Sequence, residues 1–338
     1  MILLDDAENK FEDAERSLRR ALDLDPSLAN AYNWLSNALQ HQGRYEEANA
    51  VQKKGLLVDP LNPILSLNFA DGLKMLGERE RAEQILMRLT YLPAPPGVAY
   101  LGLVRLYDNT GEFDKSVHWG KEALLAYHEY PGYATMLAWR YANLGLTEDA
   151  DYWAAVGLAY TSQPEQNFYY KAWQFQIRGD LAGLRTEIEK LRIALGPDID
   201  ALHGIYAAKY ASVNILVGNF DVGIDVFEKT FDFESLSTVR HPAVYRLGLV
   251  FSHVLAYAYQ QAGRDDEANV LLTRVHEQLN ALAVERKMDF GPLHHLFAQN
   301  FGLRGDFDAA ADALEAAIKA GWLRYIWVMN DPTWAEMI

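Results

Sequence analysis

The chain contains no cysteine. That one absence removes disulfide scaffolds, Cys-ligated zinc, iron–sulfur clusters, c-type haem attachment and thiol nucleophiles, while leaving the redox compartment open. Positive charge is also scarce: 31 Lys and Arg stand against 46 Asp and Glu, a formal net charge of −15. An acidic surface disfavours binding to a phosphate backbone, so nucleic acid is not an expected partner. Long hydrophobic runs are missing too. The most apolar stretch, Ala243 to Tyr259, is broken by Arg246, Ser252 and His253, short of the roughly 18 uncharged apolar residues that suggest a membrane span. The start, Met1 to Asp6, has no basic region and too short an apolar run for a signal peptide. The expectation is a soluble chain with no membrane partner, the cytoplasm favoured and the periplasm left open. Catalytic signatures are absent as well: there is no GxxxxGK[ST], GxSxG, HExxH or strand-borne GxGxxG. No catalytic residues, metal site or cofactor are therefore expected. What the chain does have is 338 residues with 50% hydrophobic and 23% charged. This is ordinary globular composition, with apolar material for a large core or an extended array.

The positive signal is a repeat. Gly43, Gly77, Gly111, Gly145 and Gly179 stand 34 residues apart. Five residues after each come Ala48, Ala82, Ser116, Ala150 and Leu184, and seven residues before come Ser36, Ala70, Val104, Ala138 and Ala172. Small residues on both sides of a glycine turn are what two closely crossing helices need. The same columns continue at looser spacing with Ala211, Gly218 and Gly223, then Ala256, Gly263 and Ala268, then Ala298, Gly305 and Ala310. Around each glycine, apolar residues recur at three- and four-residue steps, as in Ala29 to Gln42 and Tyr45 to Leu57. The pattern predicts an all-α superhelix of about eight helical hairpins, in which each hairpin touches only its neighbours and the array is elongated.

These columns resemble the tetratricopeptide repeat. The unit from Ala29 supplies Tyr32, Leu35, Ser36, Leu39, Ala48, Gly55 and Pro60, with Gln52 off-pattern at an apolar position. Comparable sets follow from Gly97 and Pro131 and in the last unit. The expected organisation is one continuous solenoid. Its parts are a partial repeat over 1–28, four regular repeats over 29–164, three degenerate, longer repeats over 165–290, and a last repeat with a cap over 291–338. The extra residues of the degenerate stretch fall at Gly196 to Asp198, Phe231 to Pro242 and Lys287 to Pro292, all of loop-like composition. The truncated first hairpin implies that native sequence extends upstream and leaves an edge open to homodimer formation. At the other end, Trp322, Ile326, Trp327 and Trp334 can roof the final hairpin. That tail also resembles the ending of repeat regions in bacterial signalling proteins.

By resemblance, certain positions of each first helix face a concave groove. They place Asn33, Asn37 and His41, then Leu67, Asp71 and Lys74, then Leu101, Arg105 and Asn109 along it, followed by Trp139, Tyr169 and Trp173. Each of these three aromatics fits either a ligand-facing anchor or the inter-repeat core, whereas Tyr141 and Phe175 hold packing positions. Asn33 and Asn37 supply only half of the Lys–Asn carboxylate clamp that some family members use. His294-His295 reads as structural, since helix neighbours point about 100° apart. Asp265-Asp266 reads as helix capping or dipole stabilisation. The leading function is a non-enzymatic scaffold holding a peptide or protein segment in the groove. The alternative is the sensory or regulatory portion of a larger bacterial signalling protein, a transcriptional regulator or nucleotide cyclase, with its output domain upstream.

Overall fold

The 34-residue spacing becomes a spacing of helices. In a computed structural model of the chain, which describes residues 2–42, 44–75, 78–127, 131–159, 163–231, 233, 242–285, 291–322 and 328–334, there are seventeen α-helices, sixteen of which pair as hairpins, and no strand is found among those residues. A long first helix, α1 (Ile2–Leu24), leads into eight units. Units one to four are α2 (Ala29–His41) with α3 (Tyr45–Val58), α4 (Pro63–Met75) with α5 (Arg79–Thr90), α6 (Gly97–Asn109) with α7 (Phe113–Ala126), and α8 (Pro131–Asn143) with α9 (Thr147–Leu158). Units five to eight are α10 (Pro164–Ile177) with α11 (Leu181–Leu195), α12 (Gly204–Leu216) with α13 (Phe220–Thr230), α14 (Pro242–Gln261) with α15 (Asp265–Asn280), and α16 (Gly291–Leu303) with α17 (Phe307–Lys319). Four of the first helices begin on proline, whose fixed φ and missing N–H suit the first helical position.

The column residues do what small side chains at a helix crossing must. Every residue in the two columns flanking the glycines is buried, from Ser36 and Ala48 through Ala298 and Ala310. In units three to eight the glycine between them follows the first helix in the left-handed region, with φ of +71° at Gly111 and +73° at Gly145, where a Cβ is strained. Gly43 and Gly77 lie outside the described residues. Gln52, off-pattern in sequence, is fully buried and donates from Nε2 to Ser36 Oγ at 2.8 Å. A buried polar side chain is tolerated at that apolar position because the small column across the crossing carries a hydroxyl.

First helices pack on first helices, α2 on α4 and α4 on α6, then α8 on α10 and onward through α12, α14 and α16, while α6 and α8 are joined by an Asp108–Arg140 ion pair, so the first helices form the inner row of the superhelix. Three sequence expectations change here. Gly196–Ala201 is a short 3-10 helix rather than a plain loop. Asp265 and Asp266 lie in the first turn of α15 without making a side-chain cap, which leaves dipole stabilisation as their role. The array is also not one in which hairpins meet only their neighbours. A Cβ added at Gly321, after unit eight, would stand 2.6 Å from the backbone of Thr110 in unit three.

The roof over the last hairpin is present: Trp322, Val328 and Trp334 are buried against Ala298 and Ala317. Ile326 and Trp327 lie outside the described residues, as do most of Phe231 to Pro242 and residues 286–290. His295 stacks on Trp322 with ring centroids 3.9 Å apart, the structural role its sequence context suggested. Among the described residues no cluster of His, Asp or Glu is arranged to hold a metal. No helix among them is long and apolar enough to cross a membrane.

Candidate functional site

The inner row is where a ligand would meet first-helix side chains, and a well-formed cavity opens there between units four and five. α8 supplies Trp139, α10 supplies Tyr169, Trp173 and Ile177, and α9 floors the space with Ala150 and Ala154. The cavity measures about 320 Å³, at the low end of ligand pockets and enough for one or two inserted side chains. It exists because α9 presents small residues where α8 and α10 present large ones. The three groove aromatics are half-buried and share this one wall.

The rings are held by each other and by cations. Tyr169 meets Trp173 edge-on at 6.3 Å and Tyr206 at 6.0 Å, the geometry the ring quadrupole favours. Burial pushes the Tyr169 phenol above its usual range. The Arg140 guanidinium stands 5.8 Å from the Trp139 ring centre, and Lys209 Nζ lies 4.0 Å above Trp173, both within cation–π range. Arg140 and Arg178 also line the cavity, each paired with a carboxylate, Asp108 and Asp151 respectively. Tyr141, by contrast, is buried in the core with Leu137 and Ala150, and Phe175 packs against the neighbouring core.

The other groove positions do not converge on the cavity. Asn33 is buried and its Oδ1 accepts a hydrogen bond from Asn68 Nδ2 at 2.8 Å, so it is engaged in joining units one and two. Asn37 and Leu101 are half-buried, and Arg105 is exposed. Asp71 pairs with Lys74 on its own helix. Leu67 is a correction to the groove map: it is buried in the cluster with Phe69, Leu86 and Leu103. Its neighbour Gly102 explains why, since a Cβ there would sit 2.9 Å from a Leu67 methyl. The side chains of His41 and Asn109 lie outside the described residues.

Sequence reasoning passed over a second set on the same inner row. Lys209 on α12 is buried, donates to Gln176 Oε1 at 2.6 Å, and is pushed down to about 7 by burial. The residues around Asn330 and Asp331 reach it from the far end of the chain: Asn330 Nδ2 donates to the carbonyl of Ile177 at 2.8 Å. A lone lysine inside an apolar helix, Ala207-Ala208-Lys209-Tyr210-Ala211, was the only available signal.

The fold is an α-α superhelix of helical hairpins. Residues 7–63 match the family model described as tetratricopeptide repeat. The chain is 28% identical over 137 residues to the TPR repeat-containing protein YpiA of Bacillus subtilis (strain 168), a match covering 40% of this chain and 32% of that protein. The chain thus matches about a third of the length of its curated relative. Among solved structures it is similar to Pseudomonas aeruginosa PilF, at 19% identity over 56% of this chain and 86% of that one, with a TM-score of 0.45. It is likewise similar to PilW, a type IV pilus biogenesis factor, at 18% identity over 55% and 86%, with a TM-score of 0.46.

Proposed function

We propose that the chain is a non-enzymatic scaffold that holds a peptide or protein segment in its concave groove, anchored at the cavity between units four and five. The observation that carries this is the convergence of Trp139, Tyr169 and Trp173 on one space of about 320 Å³. Rigid aromatic area that is already ordered costs little entropy on binding and is where hot spots form. The groove positions Asn37, Asp71, Lys74, Leu101 and Arg105 extend the contact surface beyond the anchor, while the buried Asn33 and Leu67 support it from beneath. No cofactor is needed for this activity.

The test measures fold stability and partner affinity on the same four variants: Trp139→Ala, Tyr169→Ala, Trp173→Ala and Tyr141→Ala, using a partner captured from the source organism and then identified. The three cavity variants should lose roughly 1–3 kcal/mol of binding while losing less stability than Tyr141→Ala. Large stability losses at Trp139 and Trp173 with affinity intact would remove the site.

A further inference from the structure

The wall of the cavity between units four and five is made mostly of rings. Trp139 comes from α8, and Tyr169, Tyr170 and Trp173 come from α10, with Ala150 and Ala154 of α9 beneath them. The rings already meet one another edge to face. Tyr169 stands against Tyr170 with centroids 5.5 Å apart and planes at 82°, and against Trp173 with planes at 71°. A further planar ring entering among them gains contacts of the same kind, matched to the ring quadrupole, which an aliphatic chain of equal size does not.

The same wall disfavours charge. Among the described residues lining the cavity there is no Asp or Glu, so a cationic guest finds no counter-charge. Each tryptophan also has a cation of this chain over its ring, Arg140 at 5.8 Å from Trp139 and Lys209 at 4.0 Å from Trp173, and a further cation is repelled there. An anion fares no better, because Arg140 and Arg178 are paired with Asp108 and Asp151. A charge taken out of water without a partner is expensive. Nor does the wall ask for a polar match. None of the buried polar atoms that lack a hydrogen-bond partner among the described residues belongs to it.

Size narrows the guest further. At about 320 Å³ the cavity is about twice the roughly 150 Å³ that lets an apolar cavity hold benzene, which is room for one ring or two fused ones. We propose that it takes a single neutral, planar aromatic group of one or two rings, carried by the bound segment as a tryptophan or phenylalanine side chain. The inference rests on the groove reading above and adds which side chain the segment inserts. Such a side chain has only two χ angles to fix, so little conformational entropy is lost when it enters.

The experiment uses the full chain, with fluoroindole as the reporter and fluorine NMR as the readout of its binding. Free indole and the N-acetyl amides of tryptophan, phenylalanine, leucine, lysine and glutamate are then run as competitors. The tryptophan and phenylalanine amides should displace the reporter about ten-fold more effectively than the lysine and glutamate amides, and more effectively than the leucine amide. Ala154→Leu fills the space from its floor and should weaken reporter binding about ten-fold without lowering the thermal midpoint, as cavity filling does. Trp139→Ala removes part of the wall, should weaken the reporter as well, and carries the test should Ala154→Leu not fold. Equal competition by the charged amides, or reporter binding unchanged in the folded variants, overturns the inference. So does displacement by free indole and by none of the amides, which would make the cavity a site for a free small molecule. Such a failure with Trp139→Ala still weakening the captured partner leaves the proposed function standing. Reporter binding as expected, with the partner indifferent to Trp139→Ala, removes the proposed anchor instead, so the two readings fail separately.

Discussion

Arg140 on α8 forms an ion pair with Asp108 on α6, joining units three and four through side chains only 3% and 11% exposed. The same guanidinium donates from Nε to Ser116 Oγ at 2.5 Å, so the small column of unit three is also a hydrogen-bond junction. Burial lowers the Arg140 guanidinium from its ordinary value, and Asp108 offsets only part of that through its charge and hydrogen bond. A buried pair of this kind fixes the register between repeats more than it adds stability.

Removing one partner should therefore be worse than removing both. Arg140→Met leaves the Asp108 carboxylate without its counter-charge, Ser116 Oγ still donating to Oδ1 at 2.6 Å, and should cost about 3–5 kcal/mol, whereas Arg140→Met with Asp108→Leu should recover much of that loss. Urea denaturation of the four members of the cycle measures it. Additive losses would show that the two residues are energetically independent.

The repeat columns predict two different penalties. Gly145 has φ of +73° with open space around its missing Cβ, so Gly145→Ala should cost only backbone strain, about 1–2 kcal/mol. Gly157 is the opposite case. It is helical, and a Cβ there would approach Thr135 Cγ2 and come within 3.3 Å of the Thr135 backbone nitrogen. Gly157→Ala should cost about 1–3 kcal/mol by overpacking the crossing of α8 and α9. Thermal unfolding distinguishes them if Thr135→Ser is added, which should relieve Gly157→Ala and leave Gly145→Ala unchanged.

Legibility in the sequence follows how local each feature is. The starts of α3, α5, α7, α9 and α11 keep the 34-residue spacing of the glycines, because a helical hairpin is specified within its own unit. The groove positions were readable only as faces of helices. Facing inward does not decide depth, so the same rule that gathers Trp139, Tyr169 and Trp173 at one cavity also selects the buried Leu67. The interaction of Lys209 with Asp331 through their charges was not readable at all. It depends on how far the superhelix coils over several units, a sum of small rotations that no residue spacing records. Likewise the sequence does not record that Asn330 lies against the end of α10, which only the coiled array shows.

The last prediction concerns His253 on α14, which is fully buried and held down to about 3 by burial. In the folded chain it stays neutral across the physiological range, while in the unfolded chain it takes up a proton near the ordinary value of about 6.5. Between those two values the unfolded state binds more protons, so stability must fall as pH falls, by about 1.4 kcal/mol per pH unit from this group. Above about 6.5 its contribution is complete and flat. His253→Leu keeps roughly the volume and removes the titration. The difference in unfolding free energy between the two chains, measured by urea titration from pH 7.5 to 4.5, should therefore shift in favour of the leucine variant as the medium becomes acid. Because each chain keeps every carboxylate, their titrations cancel in the difference. A difference that does not change with pH would mean that water reaches the imidazole and that α14 packs less tightly on its neighbours than the structure shows.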